Sequence, residues 1–165
     1  MERVPVDDVD PDPHPVGVNE NRRDLTDAVD ADHITVTRYE LDPGESVSAG
    51  LYTYRDREEI FYIAEGVMTF EHHPRDGAGE PNHLNVEANE LVRFTAGEYR
   101  CGRNTGTKPV VGIVFAARPP LSETERMESL APCRLCEELT AHRVTDPDDA
   151  YRLTCTVCGT EMRLG

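Results

Sequence analysis

Lysine is almost missing from this 165-residue chain: Lys108 is the only one, and every other basic residue is arginine. Long apolar runs are missing too. None approaches the roughly 18 residues that a membrane-crossing helix needs, so no membrane partner is expected. The opening MERVPVDDVDPDPHP lacks the apolar stretch of a secretory signal, which makes a cytoplasmic location the expectation. Basic stripes are also lacking. Residues 121–165 hold nine acids against five arginines, a balance that argues against nucleic acid as a partner.

Acid is abundant instead: 32 Asp and Glu against 17 basic residues, for a net charge of −15. The acids run from Glu2 to Glu161 and do not gather in one tract. A spread of this kind with almost no lysine resembles the cytosolic proteins of salt-loving archaea; an ordinary acidic protein is the plainer alternative. High net charge repels itself at low salt and keeps a chain dispersed at high salt. In molar salt the screening length falls to about 3 Å, so surface charge steers little.

Residues 1–30 read as an acidic arm, partly disordered. Prolines at 5, 11, 13 and 15 forbid a regular helix there, and low hydrophobicity with high charge disfavours a packed core. A strand covering the neighbouring domain is the other reading, and 23–31 leave room for a helical turn. From 31 to 118 the texture is β. HITVTRYEL alternates apolar and polar residues. SVSAGLYTY, EEIFYIA, VMTFEHH, HLNVE, ELVRF, EYRCGR and PVVGIVFAA follow, separated by turns and one longer loop over 74–82. Short strands at this spacing predict an all-β sandwich or small barrel. Residues 119–130 read as a linker or short helix, with Ser122 and Glu125 at capping-box spacing. Residues 131–165 carry four of the five cysteines.

The stretch GLYTYRDREEIFYIAEG, residues 50–66, carries a family likeness. Glu59 and Gly66, with six residues between them, match the glutamate and glycine of the first cupin motif. Pro43-Gly44-Glu45 matches its opening turn, with Gly44 two residues further off than usual. In the second motif Thr95-Ala96-Gly97 stands for the turn and Asn104 for the asparagine, while Asn89 sits where a glycine is usual. Residues 33–117 therefore resemble a cupin, a double-stranded β-helix or jelly-roll barrel. The resemblance implies a metal held by histidines and one glutamate. Here Tyr52 and Tyr54 occupy the positions of two histidines and Arg100 that of the third. A phenol with a pKa near 10 is a poor ligand for a divalent ion, and a guanidinium repels one. No metal is expected in this barrel.

Alternation points Tyr52, Tyr54, Glu59 and Phe61 inward together, and Arg100 would reach Glu59 from its own strand. Three readings stay open. The centre is plugged by an Arg–Glu pair; or these five residues line a pocket for a small anionic or aromatic ligand; or they perform metal-free acid–base chemistry of an isomerase or epimerase kind. His72, His73 and His83 read as exposed loop residues, and Cys101 as a buried, inert thiol facing away from Arg100. Ile60 and Tyr62 face outward, and since cupins commonly dimerise, the resemblance implies a homodimer.

Cys133-Arg-Leu-Cys136 and Cys155-Thr-Val-Cys158 are two C-x2-C pairs separated by eighteen residues. In a chain read as cytoplasmic this spacing points to a metal. Four thiolates close a tetrahedron and leave no open position for chemistry. LTAHRVTD and AYRLTC read as two strands joined by the turn DPDD, so the segment resembles a zinc ribbon with one structural Zn2+ per chain. A rubredoxin-like iron site and a thioredoxin-like redox pair are the alternatives. Some 35 residues build little core alone, so the ion would supply folding energy, and the ribbon is free to contact a protein partner. The expected whole is a non-catalytic small-molecule-binding, regulatory or protein-interaction module, with the metal-free isomerase as alternative.

The charge pattern yields the first prediction. Screening relieves carboxylate repulsion, so the melting temperature in 2 M KCl should exceed that in 0.1 M KCl. Equal values would refute salt adaptation.

Overall fold

Alternating apolar residues in short β-branched runs set the strands, and among the described residues the only helices are the single 3-10 turns Val6–Asp8 and Asp27–Val29. The computed structural model describes residues 1–12, 19–74, 79–117, 127–145 and 151–163. The strands are β1 (Arg22–Asp24), β2 (Ile34–Leu41), β3 (Leu51–Tyr54), β4 (Glu59–Glu65), β5 (Val67–His73), β6 (Asn82–Glu87) and β7 (Leu91–Phe94). They continue as β8 (Tyr99–Arg103), β9 (Val110–Ala117), β10 (Met127–Cys133), β11 (Glu138–Thr145), β12 (Arg152–Cys155) and β13 (Glu161–Arg163). One sheet runs β1-β2-β9-β4-β7 and the other β13-β12-β11-β10-β3-β8-β5-β6. The two face each other across a core containing Leu41, Phe61, Ile63, Met68 and Phe70, all fully buried. This is the all-β jelly roll of the cupin type, with a four-cysteine segment at its C-terminal end that fits a zinc ribbon. Among the described residues no helix is long and apolar enough to cross a membrane.

Three parts differ from the sequence reading. First, the described part of the N-terminal arm is fastened, which follows the strand alternative and not the disordered arm. β1 pairs with the edge of β2, and Arg22 makes an ion pair with Asp12. Arg23 Nε donates to the Val9 carbonyl at 3.0 Å. Second, the helix or linker expected over 119–130 lies outside the described residues as far as 126, and from Met127 the chain is strand. Met127 and Ser129 stand opposite Tyr54 and Tyr52 of β3. Burial of Met127 and the backbone ladder outweigh the local helix pattern. Third, the ribbon is built onto the barrel, because β10 extends the barrel's own sheet. The expected turn at 146–149 lies outside the described residues.

Tight turns place the site. Asn89, where the cupin pattern has glycine, has φ 69°, a left-handed conformation that asparagine tolerates better than most residues. Gly66, which joins β4 to β5, has φ 79°, and a Cβ there would lie 2.7 Å from the Pro109 carbonyl oxygen. Gly66→Ala should lower stability by at least about 1 kcal/mol, measured by urea unfolding, because both the dihedral and the space oppose a side chain.

Candidate functional site

Glu59 opens β4, and its side chain enters the barrel beside Phe61 and Ile63, as period-two alternation requires. β3 brings Tyr52 and Tyr54 to the same interior. Arg100, opposite Tyr52 in the ladder, comes from β8. Tyr52, Tyr54, Glu59, Phe61 and Arg100 are all buried, and Arg100 is 0% exposed.

These groups bind one another. Arg100 Nη2 makes an ion pair with Glu59 Oε2, and the Tyr52 hydroxyl donates to the same oxygen at 3.2 Å. Arg100 Nη1 also donates to the Glu98 carbonyl at 3.1 Å and to Thr53 Oγ1 at 3.3 Å. Its guanidinium lies 4.4 Å from the Tyr52 ring centroid, a cation–π distance. Phe61 packs edge-on to Phe70 and Phe94. The other carboxylate oxygen has a neighbour that the motif does not mention: Arg57 Nη2 stands 3.9 Å from Glu59 Oε1. Arg57 stacks 3.8 Å above the Tyr54 ring. It lies two residues before Glu59 and so shares its face; that alternation was the available clue.

Protonation follows from these contacts. Burial, then the Glu59 charge, hold the Tyr52 phenol well above its ordinary pKa against an opposing pull from Arg100. Tyr52 therefore stays protonated at physiological pH. Burial is the largest influence on Arg100 and pushes it down, but Glu59 and the neighbouring phenols together raise it above its usual value. The guanidinium stays charged. These residues do not fit a divalent ion, since a fixed cation and a protonated phenol hold the one inward carboxylate oxygen.

The histidines depart from the sequence reading. His73 is buried at the end of β5, because the strand continues through it, opposite Tyr99. His72 is half-buried, opposite Arg100 in the ladder and 3.8 Å from Glu98. It continues the inward series Met68, Phe70, a periodicity from which it was predictable. His83 is exposed on β6. Cys101 faces away from Arg100 and is buried against Ser48 at 3.5 Å. Burial raises its pKa and keeps it a thiol.

At the other end of the long sheet, the sulfurs of Cys133, Cys136, Cys155 and Cys158 lie within 4.8 Å of one another. Cys133 and Cys158 are 3.5 Å apart, and Cys136 and Cys155 are 3.9 Å apart. A tetrahedral ion with bonds of about 2.3 Å needs sulfurs about 3.8 Å apart, so the residues fit a metal. The two knuckles match. Glu137 and Gly159, each following the second cysteine of its pair, have φ 58° and 74°. Their N–H groups donate to the carbonyls of Cys133 and Cys155 at 2.9 and 3.0 Å. The Thr140 hydroxyl and then backbone N–H groups pull Cys155 down to about 5. Thr160 lowers Cys158 in the same way, whereas the hydrogen bond with Cys158 raises Cys136. Thiolates are the form a metal takes.

No family model matches the sequence, and no curated protein matches it. Solved structures do match the fold. A sugar phosphate isomerase from a cupin superfamily of Silicibacter pomeroyi is 17% identical; the match covers 98% of this chain and 92% of that one, with a TM-score of 0.59. A predicted oxalate decarboxylase of Thermotoga maritima is 20% identical over 71% of this chain and 99% of that one, TM-score 0.55. An oxalate decarboxylase of Lactobacillus farciminis, in complex with formate, is 17% identical over 75% of this chain and 34% of that one, TM-score 0.57. At these identities the likeness shows the cupin fold alone.

A double-mutant cycle tests the central pair. Arg100→Ala strands a buried carboxylate and should cost roughly 3–5 kcal/mol of unfolding free energy. Adding Glu59→Gln should recover part of that. A double variant no more stable than Arg100→Ala would show that the pair is not coupled.

Proposed function

We propose that this chain is a non-catalytic regulatory or protein-interaction module, with a closed, metal-free barrel and a structural zinc site in its ribbon. One observation carries the reading: at the centre of the barrel the buried Glu59 carboxylate is bound by the buried Arg100 guanidinium and the Tyr52 hydroxyl. A small anionic ligand would have to displace Glu59 from Arg100. Acid–base chemistry is poorly served, because Tyr52 holds its proton far too tightly for a base and Glu59 is engaged by a guanidinium. Four thiolates with no oxygen or nitrogen ligand suit zinc, and a closed site suits a structural ion.

Two surfaces support a role in contact. Leu135 and Val157, one in each knuckle, are both 69% exposed, an apolar pair presented at the tip of the ribbon to a protein partner. The outer face of the five-stranded sheet is apolar as well, with Leu91 65%, Ile34 50% and Phe115 38% exposed. Ile60 lies between Arg93 and Phe115 on that face, and Tyr62 between Leu91 and Ile113. Its charges neutralise each other: Arg38 pairs with Glu40 at 2.9 Å and Arg93 with Glu58 at 2.7 Å. Two copies of a chain with net charge −15 meet with least repulsion through such a neutral face, so we assign it to a homodimer.

Native mass spectrometry and sedimentation in high salt test the reading. The expected species is a dimer carrying zinc and no organic molecule, and Leu91→Glu with Phe115→Glu should make it monomeric. A stoichiometric organic adduct would contradict the closed barrel, and a wild-type monomer would contradict the dimer face.

A further inference from the structure

β3 carries both Tyr52 and Tyr54, whose side chains are bound into the barrel centre, yet its backbone ladder to the barrel is short. Its ladder with β8 has one registered pair, Tyr52 opposite Arg100. Its ladder with β10, the first strand of the ribbon, has four, from Leu51–Leu130 to Tyr54–Met127. Ser129 Oγ adds a hydrogen bond to the Leu51 carbonyl at 3.1 Å. β10 ends in the metal-site residue Cys133, and its neighbour β11 is paired with β12, which ends in Cys155. Cysteine thiolates thus terminate the strands that hold β3 in place.

A row of buried polar side chains runs along the same route. Arg100, Tyr52, Ser129, His142 and Cys155 stand opposite one another on five successive strands. Residues directly opposite in an antiparallel ladder share a face, so the row spans four strand spacings, about 19 Å. Every member is less than 9% exposed. His142 Nδ1 lies 2.9 Å from the Thr140 carbonyl, and Thr140 Oγ1 lies 3.5 Å from Cys155 Sγ. Met127, Val144 and Leu153 of the ribbon belong to one apolar cluster with Tyr52, Tyr54 and Phe61. Among the described residues this route is paired strand by strand from β12 to β3.

We propose that the four-cysteine site is a clamp on the barrel: an ion there locks β10 against β3 and so holds the Tyr52–Glu59–Arg100 centre closed. The inference rests on the metal reading of the ribbon given above. With the ion removed, nothing bonds Cys133 and Cys136 of one knuckle to Cys155 and Cys158 of the other, the knuckles separate, and the β10–β3 seam loosens before the five-stranded sheet does. Occupancy of the ribbon then sets whether the barrel interior is accessible.

The test is hydrogen exchange on the full, zinc-loaded chain before and after chelation with excess EDTA. Amides of Leu51–Tyr54 and Tyr99–Arg103 should exchange at least about tenfold faster after chelation, and those of β2 and β9 should change by less than about twofold. Loss of protection over the whole chain in one step, with β2 and β9 exchanging together with β3, overturns the clamp, since the seam then does not loosen first. Faster exchange confined to β11, β12 and β13, with β3 unchanged, overturns it and leaves the structural zinc site intact. Calorimetric titration with zinc separates the two ideas: a chain that binds no zinc overturns both.

Discussion

A carboxylate inside a protein must be neutralised or protonated, because burying an isolated charge costs several kcal/mol or more. Glu59 is placed in that position by its strand, and the rest of the barrel centre is arranged around the consequence. Arg100 supplies the opposite charge and Tyr52 a hydrogen bond to the same oxygen, while Arg57 approaches the other oxygen. The guanidinium is itself 0% exposed; its Nη1 reaches the Glu98 carbonyl and Thr53, while its buried Nε meets no hydrogen-bond acceptor among the described residues. Phenol and phenyl faces surround it. A cation fixed by a side chain thus sits at the centre of the barrel.

The second constraint is continuity of one sheet. A 35-residue metal segment is usually imagined as a tethered bead, but here β10 extends the barrel's own sheet next to β3. Burial of Met127, Val144 and Leu153 with barrel residues shares stability between the two parts. A ribbon whose four cysteines fit an ion is joined edge to edge with a strand that has four registered pairs with it and one with β8.

Much of this was legible in the sequence, for identifiable reasons. Glu59, Tyr52, Tyr54 and Arg100 follow from motif spacing and alternation, and the requirement for charge balance predicts that Arg100 meets Glu59. The C-x2-C pairs predict the four-cysteine cluster, since ligand spacing is a local property. What escaped was non-local or came from weak local cues. The capping box at Ser122 and Glu125 said helix, whereas Met127 became strand because its partner, Tyr54, lies far away in sequence. His73 looked like loop because a loop follows it; its burial depends on β8 beside it. Arg57 was hidden in a turn-like RDRE, although it shares the face of Glu59. Glu137 mirrors Gly159 without being a glycine, so composition gave no hint of its left-handed backbone.

Two cations compete in this account: a guanidinium in the barrel and a metal ion in the ribbon. The most direct measurement is the number of transition-metal equivalents bound by the full chain and by Glu59→Gln, with cobalt substitution reporting the ligand type. If Arg100 has replaced an ion in the barrel, both proteins bind one equivalent, and its spectrum is that of four thiolates. A second equivalent in the wild-type chain, insensitive to thiol blocking and lost in Glu59→Gln, would contradict it.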